Sequence, residues 1–293
     1  MLSLPIMAAI STVFFYIAAA FLAKKVSAGL GSMLTSAIVI TFGVVPMLIA
    51  LFVIGNYSVP QTYIVMAAVS GIPMAAGYVL LYRSLQTEQL TNSIALTEIS
   101  PALTVLFGIA VLGESLTETD AISIAVIFLG ALLIITTTGL KINRRLIPAA
   151  LSSVLWACYW IILAYVLSYT SNFTEIVAIS RLTSIMFVFA YFLAIGNPIK
   201  SKVAELNKTR KGMAALKTMA ILAVFMGIFD GSGDILFSYV FSSKIVAIGG
   251  AISALAPMAV SVLGYFFYKD RLTPMQFIGL ITMVAGAVAL SIA

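Results

Sequence analysis

Four ionisable side chains stand inside otherwise apolar stretches of this chain: Glu98, Arg181, Asp230 and Asp234. Charges so placed are costly, and they mark a functional site by default. The chemistry they offer is charge recognition and proton exchange. An arginine can grip a carboxylate or phosphate through two parallel hydrogen bonds. A carboxyl group among apolar neighbours holds a proton readily enough to load and release it near neutral pH. The chain has no histidine, so any proton coupling must run through Glu98, Asp230 or Asp234. Asp230 and Asp234 are four residues apart and share one helical face. Gly227, Gly231 and Gly233 surround them. Glycines there either let the helix unwind and expose carbonyl groups, or let helices pack closely.

Counting ~1.5 Å per residue places Arg181 and Asp230 at about the same depth, roughly 20 Å from one face, with Glu98 roughly 13 Å from it and Asp234 one turn beyond Asp230. Arg181 and Asp230 can therefore pair. That pair is either a structural bridge between two helices, or a substrate-binding arginine with its resting counter-charge. Trp156, Tyr159 and Trp160 share a helix face by their spacing, as do Tyr78 and Tyr82. These aromatics fit a substrate cavity, by stacking or by binding a cation. They fit equally as anchors at headgroup depth.

The elements that carry these residues follow from composition. Charged residues are 9% of the chain and apolar residues 62%, against about a quarter charged in soluble domains. Such a chain cannot cover a water-facing surface and is expected to be an integral membrane protein of the cell (plasma or inner) membrane. A bilayer core needs ~20 apolar residues per helix. Ten such spans fit: 3–23, 33–54, 62–82, 89–112, 120–140, 146–169, 174–196, 217–241, 246–268 and 274–292. The first is read as a retained helix and not a removed signal peptide. Thr273-Pro274-Met275-Gln276 has the pattern of a capped helix start. One cysteine, Cys158, excludes an internal disulfide, and no Cys/His cluster suggests a metal. The excess of basic residues, six in formal charge, calls for no nucleic-acid partner.

The chain also repeats itself. An offset of 156 residues sets Gly71 on Gly227, Gly77 on Gly233, Pro101 on Pro257, Gly108 on Gly264 and Gly130-Ala131 on Gly286-Ala287. An offset of 143 sets Leu4-Pro5 on Ile147-Pro148 and Tyr16 on Tyr159. The two halves are read as residues 1–143 and 144–293, the second carrying an extra polar segment at about 198–216, within Lys200–Lys217. That segment is either a plain topology anchor or an interfacial helix. Five spans per half is odd, so the halves must cross the membrane in opposite senses. Inverted repeats of this kind build one central site with two alternating entrances. The four buried charges are not repeated: Asp230 falls on Met74, Asp234 on Tyr78, Glu98 on Ala254 and Arg181 on Ile38. A symmetric scaffold with asymmetric charges suits a site specialised after duplication. Basic residues number fourteen in the loops after odd spans and one, Lys244, after even spans, which favours both termini outside.

Each half resembles a unit of the drug/metabolite transporter superfamily, in its EamA-like branch. The residues that carry the likeness are Pro101, Gly113-Glu114-Ser115-Leu116-Thr117 and Leu129-Gly130-Ala131. In the second half they are Pro257, Leu272-Thr273 and Ala285-Gly286-Ala287, with Asp270 where the glutamate is expected. The resemblance implies an all-α, ten-helix exporter or exchanger of small metabolites with a cavity between the halves, and both termini in the cytoplasm. Pro101 and Pro257 then break their helices near that cavity.

The expected activity is secondary transport of a small molecule, because no phosphate-binding loop for ATP is present. Amino acids or organic acids are the first expectation, from Arg181. Amines or other drug-like cations driven by protons are the alternative. A passive channel and a membrane-embedded hydrolase with Asp230 and Asp234 as paired carboxylates are rivals. The expected partners are the substrate, the lipid bilayer and protons as a candidate coupling ion, with the chain as a monomer or homodimer. No cofactor and no catalytic residue is expected.

Overall fold

A computed structural model describes residues 4–55, 57–100, 103, 117–137, 141–194, 210–243 and 256–292. Ten helices appear among the described residues. They are α1 (Leu4–Leu30), α2 (Ser32–Ile54), α3 (Gln61–Thr87), α4 (Leu90–Ala95), α5 (Glu118–Ile135), α6 (Ile147–Tyr169), α7 (Phe173–Ala194), α8 (Arg210–Ser242), α9 (Ala256–Leu263) and α10 (Pro274–Ile292). In hydrocarbon every backbone N–H and C=O must be satisfied within the chain, and helices do this span by span. Six of the helices, α1–α3 and α6–α8, are long and apolar enough to cross a membrane. Shorter apolar stretches lie at Ala121–Ile134, Ala259–Tyr268 and Pro274–Gly286. Phe52 and Leu193 are 85% and 87% exposed, as residues facing lipid tails are.

The helix ends follow local chemistry. At α10, Thr273 Oγ1 accepts from the Gln276 amide at 3.3 Å and Gln276 Oε1 accepts from the Thr273 amide at 3.1 Å, the reciprocal cap expected from the sequence. Between α1 and α2 the chain turns at Gly31, with φ +84°, a value that a side chain disfavours. Pro148 sits in the first turn of α6, where its missing N–H is harmless. Three helices run past the spans expected. Lys24 and Lys25 lie inside α1, Arg83 inside α3, and 210–216 begin α8 instead of forming a polar connection. Lysine and arginine are good helix formers, so a helix continues where its apolar run stops. A two-residue ladder, Thr136–Thr137 with Lys141–Ile142, separates α5 from the turn that opens α6.

The duplicated glycines make duplicated contacts. A side chain at Gly71 of α3 would strike Ser180 and Ser184 of α7; one at Gly227 of α8 would strike Val39 and Gly43 of α2. Likewise Gly77 of α3 faces Trp156 of α6, and Gly233 of α8 faces Tyr16 of α1. The third helix of each half thus lies against the first two helices of the other half. Removing the side chain lets the helix axes approach, which is how helices associate where no hydrophobic effect separates them from lipid. The fifth helices pair off in the same manner. Gly130 of α5 faces Met283 and Gly279 of α10, and Gly286 faces Ile127 and Ser123. The larger apolar core fills the interface among α1–α3 and α6–α8. A second cluster joins the end of α4 to α5, α6 and α10.

Polar contacts tie the halves together at one end of the bundle. After α9 the backbone makes a wide turn over Gly264–Tyr268 and reverses at Lys269, φ +55°. This brings the buried Asp270 back to the start of α4, where its Oδ2 accepts from the Thr91 amide at 3.0 Å and the Thr91 hydroxyl at 3.1 Å. Gly264 leaves room for that approach, since a Cβ there would lie 2.7 Å from Thr91 Oγ1 and 2.8 Å from Asp270 Oδ2. Gln89 Nε2 donates to the Arg271 carbonyl at 2.9 Å, and Tyr268 Oη to the Phe21 carbonyl at 2.5 Å.

Candidate functional site

Among the described residues Arg181 is the largest fully buried side chain, at 0% exposure. It projects from the middle of α7 into the contact between the halves. Its Nη2 donates to Asp230 Oδ2 at 2.5 Å and lies 3.5 Å from Asp234 Oδ2. Its Nη1 donates to the Tyr78 hydroxyl at 3.2 Å. Tyr78 in turn donates to Asp230 Oδ2 at 2.6 Å. Tyr16 of α1 donates to Asp234 Oδ1 at 2.8 Å. One guanidinium thus bridges two carboxylates presented by successive turns of α8, and two tyrosines from the first half each donate to one of them.

The plane of the guanidinium rests on α2. A Cβ at Gly43 would come 2.5 Å from Nη2, 2.9 Å from Cζ and 3.0 Å from Nε of Arg181. Gly43 is also where Gly231 of α8 meets α2 backbone to backbone. α8 runs unbroken from Arg210 to Ser242. Gly227, Gly231 and Gly233 therefore serve close packing and open no carbonyls, which decides between the two readings of these glycines.

Aromatic rings enclose the ion cluster. Tyr82 packs on Tyr78 with ring centroids 5.8 Å apart, and Trp156 meets Tyr78 edge-on at 5.3 Å. Tyr159 and Trp160 lie 4.7 Å apart, and Trp160 continues into Phe237 and Phe241 of α8 at 4.9 and 5.4 Å. The structure thus gathers Tyr78, Tyr82, Trp156, Tyr159, Trp160, Arg181, Asp230 and Asp234 into one region built from α3, α6, α7 and α8.

The expected residues of the fourth and ninth spans fall at the edge of the described structure. Glu98 closes the turn after α4, and its side chain lies outside the described part of the structure. Its neighbours Leu96 and Ile99 belong to the second apolar cluster, and the Leu96 carbonyl accepts from Ser153 Oγ. Pro101 lies outside the described residues. Pro257 lies in α9, and the residues that precede that helix lie outside the described part of the structure.

Sequence reasoning missed Tyr16 and Gly43. Tyr16 carried a signal, since the 143-residue offset sets it on Tyr159. The other offset is as telling: it sets Met74 and Tyr78 on Asp230 and Asp234. Arg181 sits between these two related edges, 4.0 Å from Met74 Sδ and 3.2 Å from Tyr78 Oη on one side and against both aspartates on the other.

A membrane bundle whose halves meet around a buried charged site has an architecture that suits a membrane transporter, and comparison with known proteins agrees. The model of the EamA-like transporter family matches residues 3–136 and again 145–292. The chain belongs to that family, and with it to the multi-pass membrane transporters of the drug/metabolite transporter superfamily. No curated protein matches the chain. One solved crystal structure superimposes over 99% of this chain and 96% of its own, with a TM-score of 0.64 at 18% identity. A likeness at that identity shows a shared fold.

Proposed function

We propose that this chain is a secondary active carrier of small metabolites in the cell membrane, exporting or exchanging them by alternating access. Two five-helix units, residues 1–143 and 144–293, cross the bilayer in opposite senses and rock about a site between them. Arg181, Asp230 and Asp234 form the polar centre of that site, with Tyr78, Tyr82, Trp156, Tyr159 and Trp160 as its walls. Glu98, on the neighbouring fourth span, is a candidate proton-coupling group.

The observation that carries this reading is the buried ion cluster. Removing three charges from water costs several kcal/mol per ion, and a scaffold gains nothing from them that apolar side chains would not supply. The cluster also takes its partners from both halves, so relative motion of the halves must rearrange it. No sequence pattern for ATP hydrolysis is present, which favours gradient-driven exchange. The family is one of transporters, which favours transport over catalysis by the paired aspartates.

The test is counterflow in proteoliposomes loaded with unlabelled amino acids, organic acids or amines. Saturable uptake of one class, abolished in Arg181→Ala and in Asp230→Asn, is the expected result. Flux that neither saturates nor exchanges would mean a channel. Uptake untouched by either substitution would make the buried charges structural.

A further inference from the structure

The site holds one positive and two negative groups, so its protein charge is −1 when all three are ionised. Arg181 is engaged by both carboxylates and by Tyr78. Its two terminal nitrogens are spent on protein groups and only Nε lacks a partner, against the α2 backbone at Gly43, which weighs against the expectation that it recognises an anionic substrate. What the cluster lacks is a second cation. Asp234 Oδ1 is held by Tyr16, but Asp234 Oδ2 has no hydrogen-bond donor, its nearest charge being Arg181 at 3.5 Å. One turn on, Ser238 is fully buried and its hydroxyl also lacks a partner. Residues four apart lie on one helix face, so an unmet carboxylate oxygen and an unmet hydroxyl point the same way from α8. A buried carboxylate oxygen without a donor calls for a ligand that brings one, and the hydroxyl beside it can accept a second hydrogen bond.

Resting on the carrier reading above, we propose that Asp234 and Ser238 form the subsite for a primary ammonium group and that the substrate is an amine. An ammonium carries three N–H donors and one charge. It would satisfy Asp234 Oδ2 and Ser238 Oγ and bring the cluster to neutrality. Trp160 of α6, packed against Phe237 of α8, and Tyr159 beside it give the aliphatic or aromatic remainder of the amine a wall, and a cation beside such rings gains further attraction. The charged and titratable groups facing Asp234 are Tyr16 from α1, Tyr78 and Tyr82 from α3, Tyr159 from α6, Arg181 from α7 and Asp230 from α8. Arg181 is the one cation among them, so a charged amine meets a single repelling group and two carboxylates.

The two tryptophans of the chain, Trp156 and Trp160, both line this region, so intrinsic fluorescence reports on it. Purified protein in detergent is titrated with phenethylamine and, as the matched acid, with phenylpropionate, at fixed pH and salt. The expected result is a saturable change with the amine alone. Affinity falls about tenfold or more in Asp234→Asn, as loss of a charge-assisted bond predicts, falls a few-fold in Ser238→Ala, and is largely kept in Asp234→Glu. Melting curves confirm that each variant is folded. If Asp234→Asn fails that check, Ser238→Ala with Asp234→Glu decides, and unchanged affinity in Ser238→Ala overturns the subsite. A saturable response to the acid and not the amine overturns it too, as does a response to lowered pH that the amine cannot compete away. These outcomes leave the carrier reading intact. That reading falls separately, if proteoliposomes show no counterflow of any solute class.

Discussion

Placing alanine at Gly43 tests whether the ion cluster is held as tightly as its geometry implies. The added methyl would lie 2.5 Å from Arg181 Nη2 and 2.9 Å from Cζ. Favourable contact between heavy atoms begins near ~3.5 Å, so the guanidinium must retreat by roughly 1 Å or α2 must move. α2 cannot move toward α8, because Gly231 already meets the Gly43 carbonyl across the contact. A guanidinium displaced by roughly 1 Å takes the Nη2–Asp230 bond from 2.5 Å to beyond hydrogen-bond range. Breaking a buried ion pair costs about 3–5 kcal/mol. Exchanging glycine for alanine within a helix returns about 1 kcal/mol. The expected net loss is about 2–4 kcal/mol, seen as an earlier melt in detergent and as impaired counterflow. Gly29→Ala is the control: the atoms nearest its new methyl belong to the flexible Met219 side chain, from 3.0 Å. If Gly43→Ala melts with wild type and transports normally, the guanidinium does not lie on α2 and the packing argument fails.

Two further substitutions probe the frame. Asp270→Ala removes the acceptor that holds the start of α4; the expected cost is about 1 kcal/mol, as for other lost helix caps, with faster hydrogen exchange at the amides of residues 91–93. Gly130→Leu pushes a side chain into Met283 and the α10 backbone at Gly279 and is expected to cost more than about 2 kcal/mol as an overpacked contact, measured by melting, while Leu129→Ile beside it, on the exposed face of α5, stays near wild type.

How much of this was readable in the sequence depended on the distance over which each feature acts. The order and approximate limits of the six long helices α1–α3 and α6–α8 follow from apolar runs, and the Thr273–Gln276 cap from four consecutive residues. The pairing of Arg181 with Asp230 followed from depth alone, because a bilayer turns residue number into height. Helix extensions at Lys24, Arg83 and Arg210 were hidden, since hydropathy marks where lipid contact ends and not where hydrogen bonding ends. The grip of Asp270 on Thr91 joins residues 179 apart and depends on a backbone reversal at Lys269, which no local pattern announces. Gly43 looked like any small residue in a membrane helix; its meaning lies in a guanidinium on another helix. Tyr16 was visible as one half of a repeated pair, but that pairing was read as a sign of duplication and not of shared position.

The contact at Asp270 bears on how one mouth of the bundle could open. There the halves are joined by directional bonds, from Asp270 to Thr91, from Gln89 to the Arg271 carbonyl and from Tyr268 to the Phe21 carbonyl. Each such bond is worth only about 1 kcal/mol net, because water offers nearly the same bond in exchange. Water arriving at that end would therefore replace the fastening almost without loss, one bond at a time. A seam of this kind fixes where the halves meet without fixing how long they stay together. It behaves as a latch whose key is solvent.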